Sequence, residues 1–216
     1  MLAGVVAGAA VAQGEGSGRE QLKLALPKAI EVGTESDISG IKNLEEYVKG
    51  KPPRPLLVAK GSQLVSKGKP ATYSGGAPVI GELSYLTDGD KEAPSVLELG
   101  HGPEWVQIDL GSAYGLQAVV VWHDHRGISV FFDVVIQASN DPEFKEGVHV
   151  LYNNDDDNSL KLGVGRNKCY VESNYGRQIA VKNVPARYVR LWSNGNTSDE
   201  FNKYVEVEVY ATELKK

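Results

Sequence analysis

From residue 62 onward the chain is a succession of short apolar or alternating runs, rich in Val, Ile, Leu, Tyr and Trp and cut apart by Gly, Asn, Asp and Pro. The clearest are Trp105 to Leu110, Leu116 to Trp122, Phe132 to Ala138, Val148 to Tyr152, Lys168 to Glu172, Tyr188 to Ser193 and Tyr204 to Ala211. Each is too short for a helix that buries one face, and each has the β-branched and aromatic character of a strand. In Tyr204-Val205-Glu206-Val207-Glu208-Val209-Tyr210 the period of two is explicit, and it puts both glutamates on one face. No long amphipathic helix separates the runs. The expected fold is therefore all-β, a sandwich or jelly roll rather than a parallel βαβ sheet.

The N-terminal quarter has a different composition. Leu2 to Ala12 is an apolar run of small residues, and Ala10-Val11-Ala12 before Gln13 has the A-x-A form of a signal-peptidase site. Residues 1–12 read as the remnant of an export signal, although no Lys or Arg precedes the run; the alternative is a weakly ordered tail. Export implies a secreted, periplasmic or cell-surface location. Residues 13–61 read as a linker or tail, opened by Gly14, Gly16, Ser17 and Gly18 and closed by Pro52, Pro53 and Pro55. Leu22, Leu24, Leu26 and Ile30 could lie down as a strand or brief helix on the main domain, and Ile41 to Tyr47 could form a helical turn or two, but neither builds a core alone.

Composition removes several function classes. With 23 Lys and Arg against 28 Asp and Glu the net charge is −5, so nothing global attracts a nucleic-acid backbone. No run of about eighteen apolar residues is present to span a membrane as a helix. The single cysteine, Cys169, can form neither an internal disulfide nor a Cys-rich zinc site. Dinucleotide, P-loop, c-type haem and HExxH zinc motifs are all missing.

Five segments in order carry a family resemblance. They are Leu64-Val65-Ser66-Lys67-Gly68-Lys69-Pro70-Ala71-Thr72-Tyr73-Ser74, Leu86-Thr87-Asp88-Gly89-Asp90, Trp105-Val106-Gln107-Ile108-Asp109-Leu110-Gly111, Asp133 to Asp141 (DVVIQASND), and the closing pair Ala186 to Leu191 (ARYVRL) with Val205 to Tyr210. Together they resemble the discoidin domain, also called the coagulation factor 5/8 type C domain, which is similar to the family 32 carbohydrate-binding modules. The resemblance runs from about Ser62 to Thr212 and implies a galactose-binding-like jelly roll over residues 62–213. It implies a non-catalytic binding function, directed to carbohydrate on a surface or polymer. A protein-interaction or envelope-organising domain of the same fold, with a cell-envelope protein as partner, is the alternative. Membrane binding in the manner of the clotting-factor relatives fits poorly, because the loops carry acids rather than basic residues around exposed apolar spikes.

Three constellations bear on chemistry. Asp88-Gly89-Asp90 with Glu206 offers hard oxygen donors around a glycine turn. The resemblance implies a structural calcium ion at Asp88, Asp90 and Glu206, with Asp88 and Glu206 as side-chain ligands and Leu86, Asp90 and Val205 contributing oxygen; a metal-free turn in which Asp88 caps local backbone N–H groups is the alternative. In Trp122-His123-Asp124-His125-Arg126, a loop after an apolar strand offers His123, His125 and Arg126 as donors to sugar hydroxyls, unless they serve loop and core. The resemblance makes Arg126 the sugar-binding arginine. Asn153 to Asn158 reads first as a solvated turn, with Asn154, Asp155 and Asp157 as acceptors and donors for a sugar. If this turn met the His-x-His turn in space, His123 and His125 with Asp155 or Asp157 could hold a transition metal, the basis of a metal-dependent enzyme as the remaining alternative. Asn196 and Phe201, between the last two strands, complete the expected ligand face. His101 could reach it, and Trp105 is expected in the core.

Overall fold

The computed structural model describes residues 18–30, 36–92 and 95–214, so the export-signal reading of residues 1–12 lies outside the described residues. In chain order the strands are β1 (Arg19–Gln21), β2 (Leu57–Ala59), β3 (Gln63–Leu64), β4 (Ala71–Tyr73), β5 (Leu97–His101), β6 (Glu104–His123), β7 (Val135–Ser139), β8 (His149–Asn153), β9 (Arg177–Ser193) and β10 (Phe201–Glu213). One 3-10 turn, Leu83–Leu86, stands among them. All named pairings are antiparallel. The fold is an all-β jelly-roll sandwich.

Two expected strands, Trp105 to Leu110 and Leu116 to Trp122, are one 20-residue strand that serves both layers. Its first half pairs with β4 and with Tyr188 to Ser193 of β9. Beyond a register break between Asp109 and Tyr114, its second half pairs with Arg177 to Ala186 of β9 and with β10. The two halves thus lie in opposite layers, extended by β7 and β8 on one side and by β3, β5 and β10 on the other. Val106, Ile108 and Leu110 meet Val119, Val121, Val189, Leu191, Val207 and Val209 in one buried cluster. Lys168 to Glu172 forms no ladder; it is extended chain with a single bridge from Cys169 to Leu44.

The second layer is covered on its outer face as well. Ala118, Val120, Trp122, Val205 and Tyr210 are buried beneath Leu56, Val58 and Val96, with Leu22 and Leu24 packed against them. This explains why Ala118 to Trp122 is continuously apolar: a strand buried on both faces needs no alternation. Trp122 donates from its indole nitrogen to the Asn174 carbonyl at 3.0 Å. Gly176, at φ +63, lies against the same ring, where a Cβ would come within 2.6 Å of it.

Residues 18–30 and 36–61 are therefore part of the domain, not the linker expected from their Gly and Pro content. β1 pairs with β2 over Trp122's face, and Leu22 donates to the Leu56 carbonyl at 2.8 Å. Ile38, Ile41, Leu44 and Tyr47 pack on Val130, Cys169 and Val171, and Glu45 forms an ion pair with Arg177 at 2.8 Å. The sparse leucines were sufficient because the sandwich supplies the other half of each contact. No helix among the described residues is long and apolar enough to cross a membrane.

Trimming the chain to residues 62–216 uncovers Ala118, Val120 and Trp122. The trimmed chain should melt well below the full chain and bind a hydrophobic dye, since exposing even one large apolar side chain costs about 1.5–3 kcal/mol. Equal melting temperatures by calorimetry would show that the segment is only a tether.

Candidate functional site

Because β6 folds back on itself, Glu104 and His123 lie at the same end of the sandwich, together with Ser193 of β9, His101 of β5 and Phe201 of β10. The loops 124–134 and 194–200 are laced together at this apex. Phe131 bridges Asn196, the Val130 and Thr197 backbones are joined in both directions through the Thr197 Oγ1 and the Val130 carbonyl, and Phe132 pairs with Asn194 and Gly195. Asn154 ties the next loop on by exchanging hydrogen bonds with Val134. The expected loops do converge.

Their side chains divide sharply by exposure. His123 is fully buried, with its Nδ1 2.7 Å from Glu172 Oε1 and its ring stacked on Phe131 at 4.3 Å. It cannot face a ligand outside, because β6 continues through it and its inward period, Val119, Val121, His123, points into the core. His125 is also buried, its Nε2 3.0 Å from the Lys91 carbonyl. The His-x-His and Asp-rich turns do not form a joint metal site: His123 is committed to Glu172. The carboxylates that do assemble are Asp133, Asp155 and Asp157, whose oxygens lie within 4.8 Å of one another. Asp133 was not foreseen. Asp155 is buried and accepts from the Ser159 and Leu160 amides, while Asp157 is exposed and accepts from Ser159. Burial raises the Asp155 carboxyl, against the backbone donors, and the charge of Asp133 adds to the rise. The Asn154 carbonyl holds Val134, and Asn196 spends its amide on Asp199, Ser198 and the Phe201 carbonyl. Both amides are loop scaffolding.

Arg126 remains accessible, its side chain 38% exposed, and forms a two-point ion pair with Asp124 at 2.8 and 2.6 Å. Burial works against ionised Asp124, yet the Arg126 hydrogen bonds and charge hold its carboxyl below the usual range. The pair also feels Lys203 and Glu98, which are themselves 3.5 Å apart. Phe201 presents a half-buried ring to His101, centroids 4.1 Å apart and edge to face, and His101 lies 3.6 Å from Glu200. An aromatic edge, an exposed imidazole, a guanidinium and carboxylates within one apex can stack on a pyranose and exchange hydrogen bonds with its hydroxyls. Trp105, expected in the core, instead lies half-buried on the outer face of its layer, with the Arg190 guanidinium 4.2 Å from its ring.

At the second constellation the structure brings turn and glutamate together. The Gly89 amide donates to Glu206 Oε2 at 3.0 Å, and Glu206 Oε1 is buried with no partner. Asp88 is exposed and accepts from the Asp90 amide. Both Asp90 carboxylate oxygens are engaged, by the Glu92 amide and the Ser95 hydroxyl, so its side chain is a turn cap rather than a free ligand. Burial pushes the Glu206 carboxyl up to about 8, against the Gly89 donor. The orphaned oxygen fits a bound cation, and Asp88, Glu206 and the turn's carbonyls are the residues that would hold it.

No family model matches the chain, and no curated protein matches it. Solved structures share its fold. A chitosan-binding module 1 derived from a chitosanase/glucanase of Paenibacillus sp. IK-5 is 20% identical with a TM-score of 0.51, over 69% of this chain and 99% of that one. CpGH89CBM32-4, produced by Clostridium perfringens and solved with GlcNAc-alpha-1,4-galactose, is 14% identical with a TM-score of 0.53, over 71% and 96%. The Clostridium perfringens family 89 glycoside hydrolase CpGH89 is 18% identical with a TM-score of 0.52 over 71% of this chain, which spans only 15% of that enzyme.

Glu206→Gln tests the buried acid. Folded Glu206 keeps a proton that the unfolded chain releases above its ordinary value of 4.5, so rising pH costs the folded state stability until about 8. In chelator, the melting temperature of Glu206→Gln should gain on that of the parent across this window and hold its lead above it. Parallel curves would show that Glu206 carries no such penalty.

Proposed function

We propose that this chain is an exported, non-catalytic carbohydrate-binding module whose ligand face is the apex formed by Arg126, His101 and Phe201, with a structural calcium ion at the Asp88 turn and Glu206. The observation that carries the reading is the apex itself: an accessible guanidinium at the same end of the sandwich as an exposed histidine and an aromatic edge, on a fold shared with modules solved as chitosan- and glycan-binding units. Asp124 positions Arg126 and fixes the plane in which its remaining N–H groups are offered. The rings supply the apolar surface that sugars bind through their C–H faces. Affinity for one module is weak, because each hydroxyl exchanges water for an equivalent partner and nets only about 0.5–1.5 kcal/mol.

Calcium would act on the frame of that face, since Lys91, directly after the Asp88 turn, has its carbonyl 3.0 Å from His125 beside Arg126. A divalent cation takes several oxygens, and Glu206 Oε1 has no other partner. It would neutralise a buried carboxylate and lock the turn between the Leu83–Leu86 segment and β10. The carbohydrate would be recognised on an external surface or polymer.

A glycan array probed in millimolar calcium and in chelator tests both statements. The parent should bind a defined set of glycans, Arg126→Ala and Phe201→Ala should lose them while still folded at the assay temperature, Arg126→Ala melting lower because Asp124 loses its partner, and calcium should raise the melting temperature of the parent but not of Glu206→Gln. An array on which parent and Arg126→Ala give the same pattern would remove the apex from the reading. Identical melting in chelator and calcium would remove the ion.

A further inference from the structure

The opposite end of the sandwich holds a groove of about 860 Å³, within the range of ligand-binding clefts. Its floor is polar and fixed. Gln117 is buried and donates to the Gly115 carbonyl at 3.3 Å and to the Asn183 side-chain oxygen at 3.0 Å. Asn183 adopts a left-handed φ of +53, and a Cβ on Gly115 would overlap its side-chain oxygen, so glycine is required there for the floor to close. The rim carries Lys60, Lys67 and Lys69, against Glu213 as the one acid lining the groove.

Among the described residues none of these three lysines has a carboxylate within ion-pair distance. Asp109 lies within electrostatic reach of Lys69 but is already held by the Arg187 fork at 2.7 and 2.8 Å. The Lys67 ammonium sits against Gly89, whose amide is given to Glu206. Three lysines line one groove, against Glu213 on its lining and Glu20, whose carboxylate accepts from the Gly61 amide at 3.1 Å, so the excess there is positive on a chain with net charge −5. Lys60 and Gly61 belong to the turn between β2 and β3, so the docked N-terminal segment builds one wall. That wall lies outside the stretch, Ser62 to Thr212, that resembles the discoidin domain.

We propose that this groove is a second binding site, independent of the apex, for a polyanionic polysaccharide. Lysine ammoniums act as point charges with rotatable donors, suited to carboxylate or sulfate groups repeated along a chain rather than to one planar anion. The amide floor serves the hydroxyls between the charges. The attraction is local and opposed by the overall charge, so it is screened readily by salt.

Affinity electrophoresis of the full chain through gels containing polygalacturonate, dextran sulfate or neutral dextran tests this, with a second assay on phosphatidylserine vesicles. Retardation is expected in a polyanion gel and not in dextran, fading as salt is raised, and the gel in which it occurs assigns carboxylate or sulfate. The triple variant Lys60→Glu, Lys67→Glu, Lys69→Glu should lose it while Arg126→Ala keeps it. Should the triple variant fail to fold, Lys67→Gln with Lys69→Gln, which removes charge without reversing it, should show the same loss in weaker form. Migration of the parent alike in all three gels, undiminished retardation of a folded lysine variant, or binding to vesicles alone would overturn the proposal. Loss with Arg126→Ala but not with the lysine variants would assign the polyanion to the apex and overturn it equally.

Discussion

The bend of β6 between Asp109 and Tyr114 is the constraint on which the rest of the structure depends. A single strand that pairs in both layers makes the two registers dependent on each other, and a slip of one residue would turn every inward side chain of both halves outward. The bend is held chemically. Asp109 takes a two-point bond from Arg187 and a third from the Gly111 amide at 2.8 Å, and the Arg187 hydrogen bonds, set against burial, keep its carboxyl below the usual range. Gly111, at φ +85, supplies the left-handed conformation that lets the chain turn. Everything functional then sorts to one of two ends: the apex gathers the strand ends near Glu104 and His123, and the groove lies where the halves part near Gly115 and Asn183.

The fold was legible in the sequence to the extent that strands are buried on one face only. Val106, Ile108 and Leu110 alternate with Trp105, Gln107 and Asp109, and that pattern survives as written. The same alternation should have placed Trp105 outside, but a large aromatic ring weighs toward the core unless its partner, here Arg190 some 85 residues away in sequence, is known. The docking of residues 18–30 and 36–61 was legible only in part, in Leu22 and Leu24, which the sequence allowed to lie down on the main domain and which do so. The segment's apolar positions are few, and the unusually unbroken run Ala118 to Trp122 was the sign that a second cover was needed.

The candidate site shows the limit more sharply. Residue types at the apex were readable, but which of them face water depends on whether β6 ends before or after His123 and on which acid each cation meets. His123 and Arg126 are three residues apart and have opposite fates: the former is stacked between Phe131 and Tyr204 in the core, the latter pairs with its neighbour Asp124 at the surface. His101 and Glu200, each more than half exposed, owe their place to the β5 and β10 pairing, which no local pattern encodes. Loops in this fold are specified by long-range bridges such as Phe131 to Asn196, and those appear only when the strands are assembled.

The outer face of β10 shows why a buried acid can remain in a site like this one. Glu206 and Glu208 are two residues apart, both buried on the same side of the strand. Glu208 is compensated: the Lys91 ammonium lies 2.5 Å from one oxygen, over the Trp122 ring, and the Tyr210 hydroxyl donates to the other at 2.8 Å. Glu206 has the Gly89 amide alone. Two carboxylates therefore share one ammonium, and burial of the uncompensated one costs more than a single backbone hydrogen bond returns. The face lacks one positive charge, which must come as a proton on Glu206 or as a cation from solution. A proton would satisfy the charge but leave Glu206 Oε1 without a partner among the protein's own groups. The divalent cation proposed at this turn would supply both the charge and that partner, and it would act on the frame that carries the apex rather than on the ligand itself.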